Sequence, residues 1–305
     1  MYDYSGLYKQ LKEKNLNKSD LTQKLNISSR TIAKISRGEK VSKTVLTKIS
    51  NYFSCSNEDI YKIISDNVIL QRLREEKNHK VSGGLYHELQ IRMTYNSNHI
   101  EGSRLSEEQT RNIFETNTID VGDGIDVDDI IETVNHFRAI DYCIDIAEEL
   151  LTEEIIKKLH FLLKNSTKDE RLSWFKVGEY KASPNVVGGK TTTAPKDVPK
   201  SMSELLRDYN KKKDISFEDI ISFHYKFEKI HPFQDGNGRV GRLIAFKECL
   251  KNNIIPFIIE DAKKYFYYRG LDKFEEERGY LIDTCLDGQD TFTKLLEIFN
   301  IRLKS

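Results

Sequence analysis

Cysteine is scarce. Cys55, Cys143, Cys249 and Cys285 are the only four, and no two lie close in sequence. No pair has metal-ligand spacing, the low density argues against a disulfide framework, and a reducing compartment is expected. Long apolar runs are missing too: none approaches the ~20 residues that cross a bilayer, and the opening MYDYSGLYKQ has no apolar leader core. A cytoplasmic protein with no membrane partner is expected. Proline is nearly absent, five in all and three of them between Pro184 and Pro199, so helices can run almost anywhere else. The formal net charge is zero, and the whole-chain balance therefore selects no class of partner. The charge is unevenly spread, however. The first 64 residues hold twelve Lys/Arg against six Asp/Glu, a net +6, which leaves −6 for the rest. A basic module on an acidic body directs attention to nucleic acid for that module alone; a solvated basic face is the plainer alternative.

What is present is helical in its periodicity. Apolar side chains recur at helical spacing at Tyr4, Leu7, Tyr8 and Leu11, at Ile220, Phe223, Phe227 and Ile230, and at Leu243, Phe246 and Leu250. The content of 38% hydrophobic and 31% charged residues is that of a folded, well-solvated chain. Gly122, Asp123 and Gly124, in acidic surroundings, read as a loop. The stretch GEYKASPNVVGGKTTTAP (178–195) breaks the helical pattern, and Val186 and Val187 precede Gly188 and Gly189 as in a short hairpin. The expected fold is predominantly all-α with one small β-hairpin.

Residues 16–64 read as four short helices. Ser19 caps one carrying Leu21 and Leu25, and Ser28 one carrying Ile32 and Ile35 that Gly38 ends. Ser42 caps one carrying Leu46, Ile49 and Phe53, and Ser56, three residues before Asp59, caps a last one. The pair DLTQKLNISSRTIAKISRG resembles the helix-turn-helix of Xre/Cro-type repressors. The resemblance implies DNA as a partner of residues 1–65, with Ser29, Arg30, Thr31 and Lys34 facing the bases. A docking or dimerisation module is the alternative. A homo-oligomer stays open, because such modules often dimerise but no heptad seam appears.

Near the end stands HPFQDGNGRVGR, His231 to Arg242. Phe217 to Ile230 reads as an amphipathic helix that stops at His231 and Pro232, and Gly238 to Leu250 reads as the next helix. Gly236, Asn237 and Gly238 then deliver the chain into a helix amino terminus, where free amides and the dipole make an anion site. Arg239 and Arg242, three apart, share one face and suit phosphate oxygens. A bare phosphate would repel Asp235, which makes sense if that carboxylate holds Mg²⁺. His231 can take a proton near neutral pH. Together these residues read as metal-assisted transfer of a phosphorus group from a nucleotide, with His231 activating the acceptor. Singly, a histidine at a helix end or a Gly-Asn-Gly turn would mean little; their joint spacing does.

The same twelve residues match the active-site motif of the Fic proteins, His-x-Phe-x-Asp/Glu-Gly-Asn-Gly-Arg-x-x-Arg, and the resemblance extends from about Ser97 to Tyr267 and Tyr268. It implies adenylylation: AMP passes from ATP to a Ser, Thr or Tyr hydroxyl of a target protein, with release of diphosphate. His231 would deprotonate that hydroxyl and Asp235 would hold Mg²⁺. Gly236, Asn237, Gly238, Arg239, Val240, Gly241 and Arg242 would bind the nucleotide, Arg239 at the β-phosphate and Arg242 at the γ-phosphate. Val186, Val187, Gly188 and Gly189 would form the flap that docks the target by strand addition, and Tyr268 would line the adenine pocket.

Leu85, Leu89, Met93, Asn96 and Ile100 keep helical spacing before Gly102, so Glu101 falls in a last helical turn, where the dipole disfavours an anion unless a cation offsets it. Ser97 to Gly102, SNHIEG, resembles the family's inhibitory motif. The resemblance implies that Ser97 and Glu101 engage Arg242 and that the Glu101 carboxylate occupies the place of the γ-phosphate. The chain then divides into a helix-turn-helix module, 1–65, a linker and inhibitory-helix region, 66–126, and a catalytic core with carboxy-terminal helices, 127–305. Removal of AMP at the same site, and a DNA-binding regulator with a nucleotide-sensing body, are the alternative functions.

Overall fold

The computed structural model of the chain describes residues 2–39, 41–57, 59–63, 67–120 and 124–303. The loop reading at 122–124 thus falls, but for Gly124, outside the described residues. Among those described, fourteen α-helices and two small antiparallel sheets are arranged in two compact units, Met1–Asn67 and Val68–Ser305. The predominantly helical expectation holds and the expected hairpin is present in the larger unit; the two-stranded sheet of the smaller unit was not expected.

In the first unit β1 (Tyr2–Asp3) pairs with β2 (Lys62–Ile63), joining the unit's two ends. Between them run α1 (Ser5–Glu13), α2 (Lys18–Leu25), α3 (Ser29–Ser36) and α4 (Lys43–Phe53). Leu7, Leu11, Leu21, Ile35, Ile49 and Phe53 close the core from all four helices. Ser28 and Ser42 cap as expected: their hydroxyls accept from the Thr31 and Val45 amides at 3.2 and 3.4 Å. Two expectations are corrected. The second helix starts before Ser19, where the Asp20 carboxylate accepts the Asn17 amide at 2.6 Å. Ser56 and Asp59 do form the reciprocal bonds of a cap, at 2.9 and 3.2 Å, but among the described residues no helix follows. The Ile60 carbonyl instead accepts the Leu7 amide at 2.8 Å, satisfying a free donor at the start of α1, and Ile60 is buried. A tertiary contact claims the residues that a second helical turn would have used.

The second unit contains α5 (Val68–His79), α6 (Leu85–Ile100), α7 (Glu107–Thr116), α8 (Val127–Asp145) and α9 (Glu153–Lys164). A two-stranded hairpin, β3 (Val186–Val187) and β4 (Lys190–Thr191), follows. Then come α10 (Val198–Asn210), α11 (Phe217–Ile230), α12 (Asn237–Lys251), α13 (Lys264–Lys273) and α14 (Gly279–Ile298). The stretch read as a linker is not one: Ile69, Leu70 and Leu73 of α5 and Leu85, Leu89 and Met93 of α6 are buried in the main core. At the centre of the unit is α12, buried on nearly every side and packed by α8, α9 and α11, with Arg239, Arg242, Lys247 and Glu248 buried among its apolar residues. Each fully buried Leu, Ile or Phe there contributes about 1.5–3 kcal/mol. That packing fixes the start of α12, and the start of α12 carries the motif.

Candidate active site

The motif begins where α11 ends. His231 donates its amide to the Phe227 carbonyl at 2.9 Å and takes a left-handed backbone, φ +50° and ψ 64°. Pro232 follows, and a proline disfavours the right-handed helical region for its predecessor. A left-handed non-glycine residue is uncommon and is held only where the surroundings over-determine it. Phe233 supplies that hold. It is fully buried, stacks on the His160 ring at 4.0 Å, and exchanges two bonds with the Asn237 side chain, at 2.8 and 2.9 Å. The Asn237 amide group is therefore spent on bracing the loop, leaving its backbone to face the turn. His160 accepts the Gly178 amide at Nδ1 (2.8 Å) and donates from Nε2 to the Asp235 carbonyl (3.2 Å).

Gly236 turns the chain at φ +78°, and an added Cβ would lie 3.4 Å from Leu163 and 3.6 Å from Lys164. The first amides of α12 lie just beyond it without helical partners. Val240 donates its amide to the Gly236 carbonyl at 3.0 Å, and its side chain is in the core. Gly241 faces α11, where a Cβ would sit 2.5 Å from Glu228 and 2.8 Å from His224. Gly238 differs again, for a Cβ there would lie 2.2 Å from Glu101 Oε1.

Charges are gathered around this turn. Lys164 Nζ, at the end of α9, contacts Glu132 at 2.5 Å, Asp169 at 2.7 Å and Asp235 at 2.8 Å. Glu132 also pairs with Arg239, whose Nη2 stands 3.5 Å from Asp235. The Asp235 side chain is half exposed, yet the protein packed around it still disfavours its charge; Arg239 and Lys164 outweigh that and hold the carboxyl well below its usual range. On the other side of α12, Arg242 donates to the Ser97 hydroxyl at 3.1 Å, to the Ser97 carbonyl at 2.9 Å and to Glu101 at 2.7 Å. Its Nη1 is 3.4 Å from the Tyr267 hydroxyl, which lies 2.7 Å from His224. Burial disfavours the Arg242 charge, and the Glu101 carboxylate more than restores it. Tyr268 donates to the Ile100 carbonyl at 3.0 Å. His231 is pushed down to about 4, first by burial and then by the Lys181 charge, against the Glu228 backbone, which favours the charged form.

The hairpin stands beside this site. Gly188 and Gly189 turn it at φ +54° and +77°, and Val186 and Val187 are 61% and 48% exposed. Its base is tied to the motif: Lys181 donates its amide to the Pro232 carbonyl at 2.9 Å, and its ammonium to Asn185 at 2.8 Å and Thr192 at 2.5 Å. The structure thus brings together His231, Asp235, Arg239, Arg242, Ser97 and Glu101. In the other unit Ser29 and Arg30 are exposed on α3, while Thr31 and Lys34 are half-buried. Sequence reading missed Glu132, Lys164, Asp169, Lys181 and His160. They come from distant helices and loops and carry no local spacing signal.

The sequence matches the Fic/DOC family over residues 150–248 and the Cro/C1-type helix-turn-helix DNA-binding domain over residues 7–66. It is 30% identical over 190 residues to the "Protein adenylyltransferase Fic" of Aedes aegypti, covering 59% of this chain and 36% of that protein. The protein of the same name in Drosophila persimilis is 28% identical over 185 residues, 58% and 34% of the two chains. The match spans about a third of these curated relatives. Among solved structures, a Fic-domain signalling protein of Bacteroides thetaiotaomicron aligns with a TM-score of 0.57 at 24% identity, over 78% of this chain and 94% of that one. Fic-1 of C. elegans aligns with a TM-score of 0.60 at 16% identity, over 88% and 81%. These likenesses establish the fold. The chain carries a Fic/DOC-family domain, preceded in sequence by a Cro/C1-type helix-turn-helix domain.

Proposed function

We propose that the protein is an adenylyltransferase that moves AMP from ATP to a hydroxyl side chain of a target protein, and that Glu101 restrains it. What carries the reading is one arrangement: the open start of α12 with Arg242 beneath it and a carboxylate, Glu101, 2.7 Å from that guanidinium. An anion already sits where amides and an arginine would take a phosphate. Gly238 leaves room for it, and a γ-phosphate and Glu101 compete for the same donor. His231 stays neutral far below pH 7 because it is buried beside Lys181, so its ring is free to accept the proton of an incoming alcohol; such a base contributes about 10²–10⁴-fold. The exposed edge of β3 and β4 would lay the target's backbone alongside.

Asp235 fits a hard cation. Its carboxylate is ionised, 55% exposed and braced by Lys164. Mg²⁺ bound there would neutralise phosphate charge. The helix-turn-helix unit presents Ser29 and Arg30 outward, and we propose DNA as its ligand.

The test uses labelled ATP in a cell lysate. Glu101→Gly should raise AMP transfer at least about tenfold, since removing a competitor worth 1.4 kcal/mol already gives that factor. Adding His231→Ala should abolish the signal. A Glu101→Gly protein no faster than the parent would overturn restraint by Glu101, and loss of an AMP-removing activity in that variant would reverse the direction of the reaction.

A further inference from the structure

The turn holds a group of charges that AMP transfer leaves unexplained. Glu132 of α8, Asp169 and Asp235 place one carboxylate oxygen each within 4.8 Å of one another, the grouping a divalent cation would choose. An ammonium occupies that place. Lys164 is only 3% exposed and reaches all three carboxylates, at 2.5, 2.7 and 2.8 Å. Its stem is fixed as well as its head. Its carbonyl accepts the Thr167 hydroxyl at 2.8 Å, and its Cδ lies under the Gly236 turn. Glu132 is shared with Arg239, which itself reaches Asp235. Three carboxylates therefore meet two buried cations, and without the lysine the cluster would hold an uncompensated charge that burial penalises.

Resting on the transfer reading above, we propose that Lys164 is a positioning residue. It serves as the resident cation of the Glu132, Asp169 and Asp235 cluster and keeps Asp235 aimed at the open turn, so that a divalent cation enters only together with the nucleotide. The lysine balances the cluster to within about one charge, too little to draw a metal alone. Triphosphate oxygens bring the missing anionic ligands, because Mg²⁺ in such sites is held by one or two carboxylates plus substrate phosphates.

Binding of Mn²⁺, alone and then with ATP, by calorimetry and by electron paramagnetic resonance tests this on full-length protein carrying Glu101→Gly. The parent should bind Mn²⁺ weakly without ATP and tightly with it. Adding Lys164→Met should tighten nucleotide-free Mn²⁺ binding by about tenfold or more, the size of effect expected when a neighbour of a metal ligand changes. Glu132→Gln in that background should remove the gain. Lys164→Met binding Mn²⁺ no better than the parent would overturn the proposal, as would a parent that binds Mn²⁺ equally well without ATP. If Lys164→Met unfolds in metal-free buffer, recovery of the fold on adding Mn²⁺ supports it; failure of both Lys164→Met and Lys164→Gln to fold with or without Mn²⁺ overturns it. A parent that binds no Mn²⁺–ATP at all sinks the transfer reading itself, a distinct result.

Discussion

Gly238 shows how much one missing methyl can decide. A Cβ there would stand 2.2 Å from Glu101 Oε1 and 3.1 Å from an Arg242 nitrogen. The group it meets is the far end of a flexible side chain, so Gly238→Ala should fold with a melting temperature close to the parent's. It would nevertheless deny the space to any anion, carboxylate or phosphate alike. Gly238→Ala should therefore break the Glu101–Arg242 pair without raising AMP transfer. In a Glu101→Gly background it should lower AMP transfer by about 10²-fold, the loss typical of a reactant displaced by 1 Å. Labelled-ATP assays of the single and double variants check this; a single variant as active as Glu101→Gly would show that the methyl excludes only the carboxylate. The neighbouring residue choices share this logic. His231 in the left-handed region, Phe233 in the core and the Asn237 side chain on the loop peptide fix the path of the loop into α12.

At the level of elements, α6 ends badly for an anion and is held there by others. Its carboxy-terminal dipole disfavours Glu101 by roughly 0.3–1 kcal/mol, and Arg242 offsets that through Ser97 and Glu101 together. The segment before α13 grips the same end: Asn96 accepts the Asp261 amide at 2.8 Å, His99 lies 2.9 Å from the Asp261 carboxylate, and Tyr268 bonds the Ile100 carbonyl. Tyr268→Phe removes one such bond, worth about 1 kcal/mol, and should raise basal transfer roughly fivefold by loosening the helix end. The ring remains, so a role in stacking on adenine would be preserved and the KM for ATP in a Glu101→Gly background should not move. Unchanged basal transfer would detach Tyr268 from the restraint. The helices around these contacts were largely legible, because apolar period and capping serines are local signals. The motif was legible because its members are contiguous, and the hairpin because two glycines break a helical stretch. Glu132, Lys164 and Lys181 were not, since a lone charge on a helix looks solvated until the fold buries it. Ser56 and Asp59 misled for the converse reason: the cap formed, but the amide of Leu7 took the Ile60 carbonyl.

The larger unit as a whole concentrates cations around α12, and its histidines record the consequence. His136 of α8, His160 of α9 and His224 of α11 are fully buried, and each is held down to about 3, by burial first and then by the charges of Arg239, Lys164 or Arg242. Each bonds in its neutral form, His136 to Thr94 at 2.9 Å and His224 to Tyr267 at 2.7 Å. Their folded values lie below the unfolded value of 6.5. The unfolded chain therefore takes up protons first, and the stabilisation present above pH 6.5 is lost as the pH falls. At pH 5 the loss is about 2 kcal/mol for each histidine, and His231, at about 4, adds a similar amount. Glu228 works the other way. It is raised to about 8 by burial and by the Glu101 charge, so the folded state binds its proton more tightly and regains about 2 kcal/mol between pH 7 and pH 5. The balance still falls by several kcal/mol, a large part of an ordinary domain's stability. Trp174 is the only tryptophan and belongs to this unit, so its fluorescence during urea unfolding reports this unit alone. The midpoint should drop steadily from pH 7 to pH 5, and His224→Gln should flatten part of that slope. A midpoint constant over that range would mean that these imidazoles are not kept neutral by the cationic site they surround.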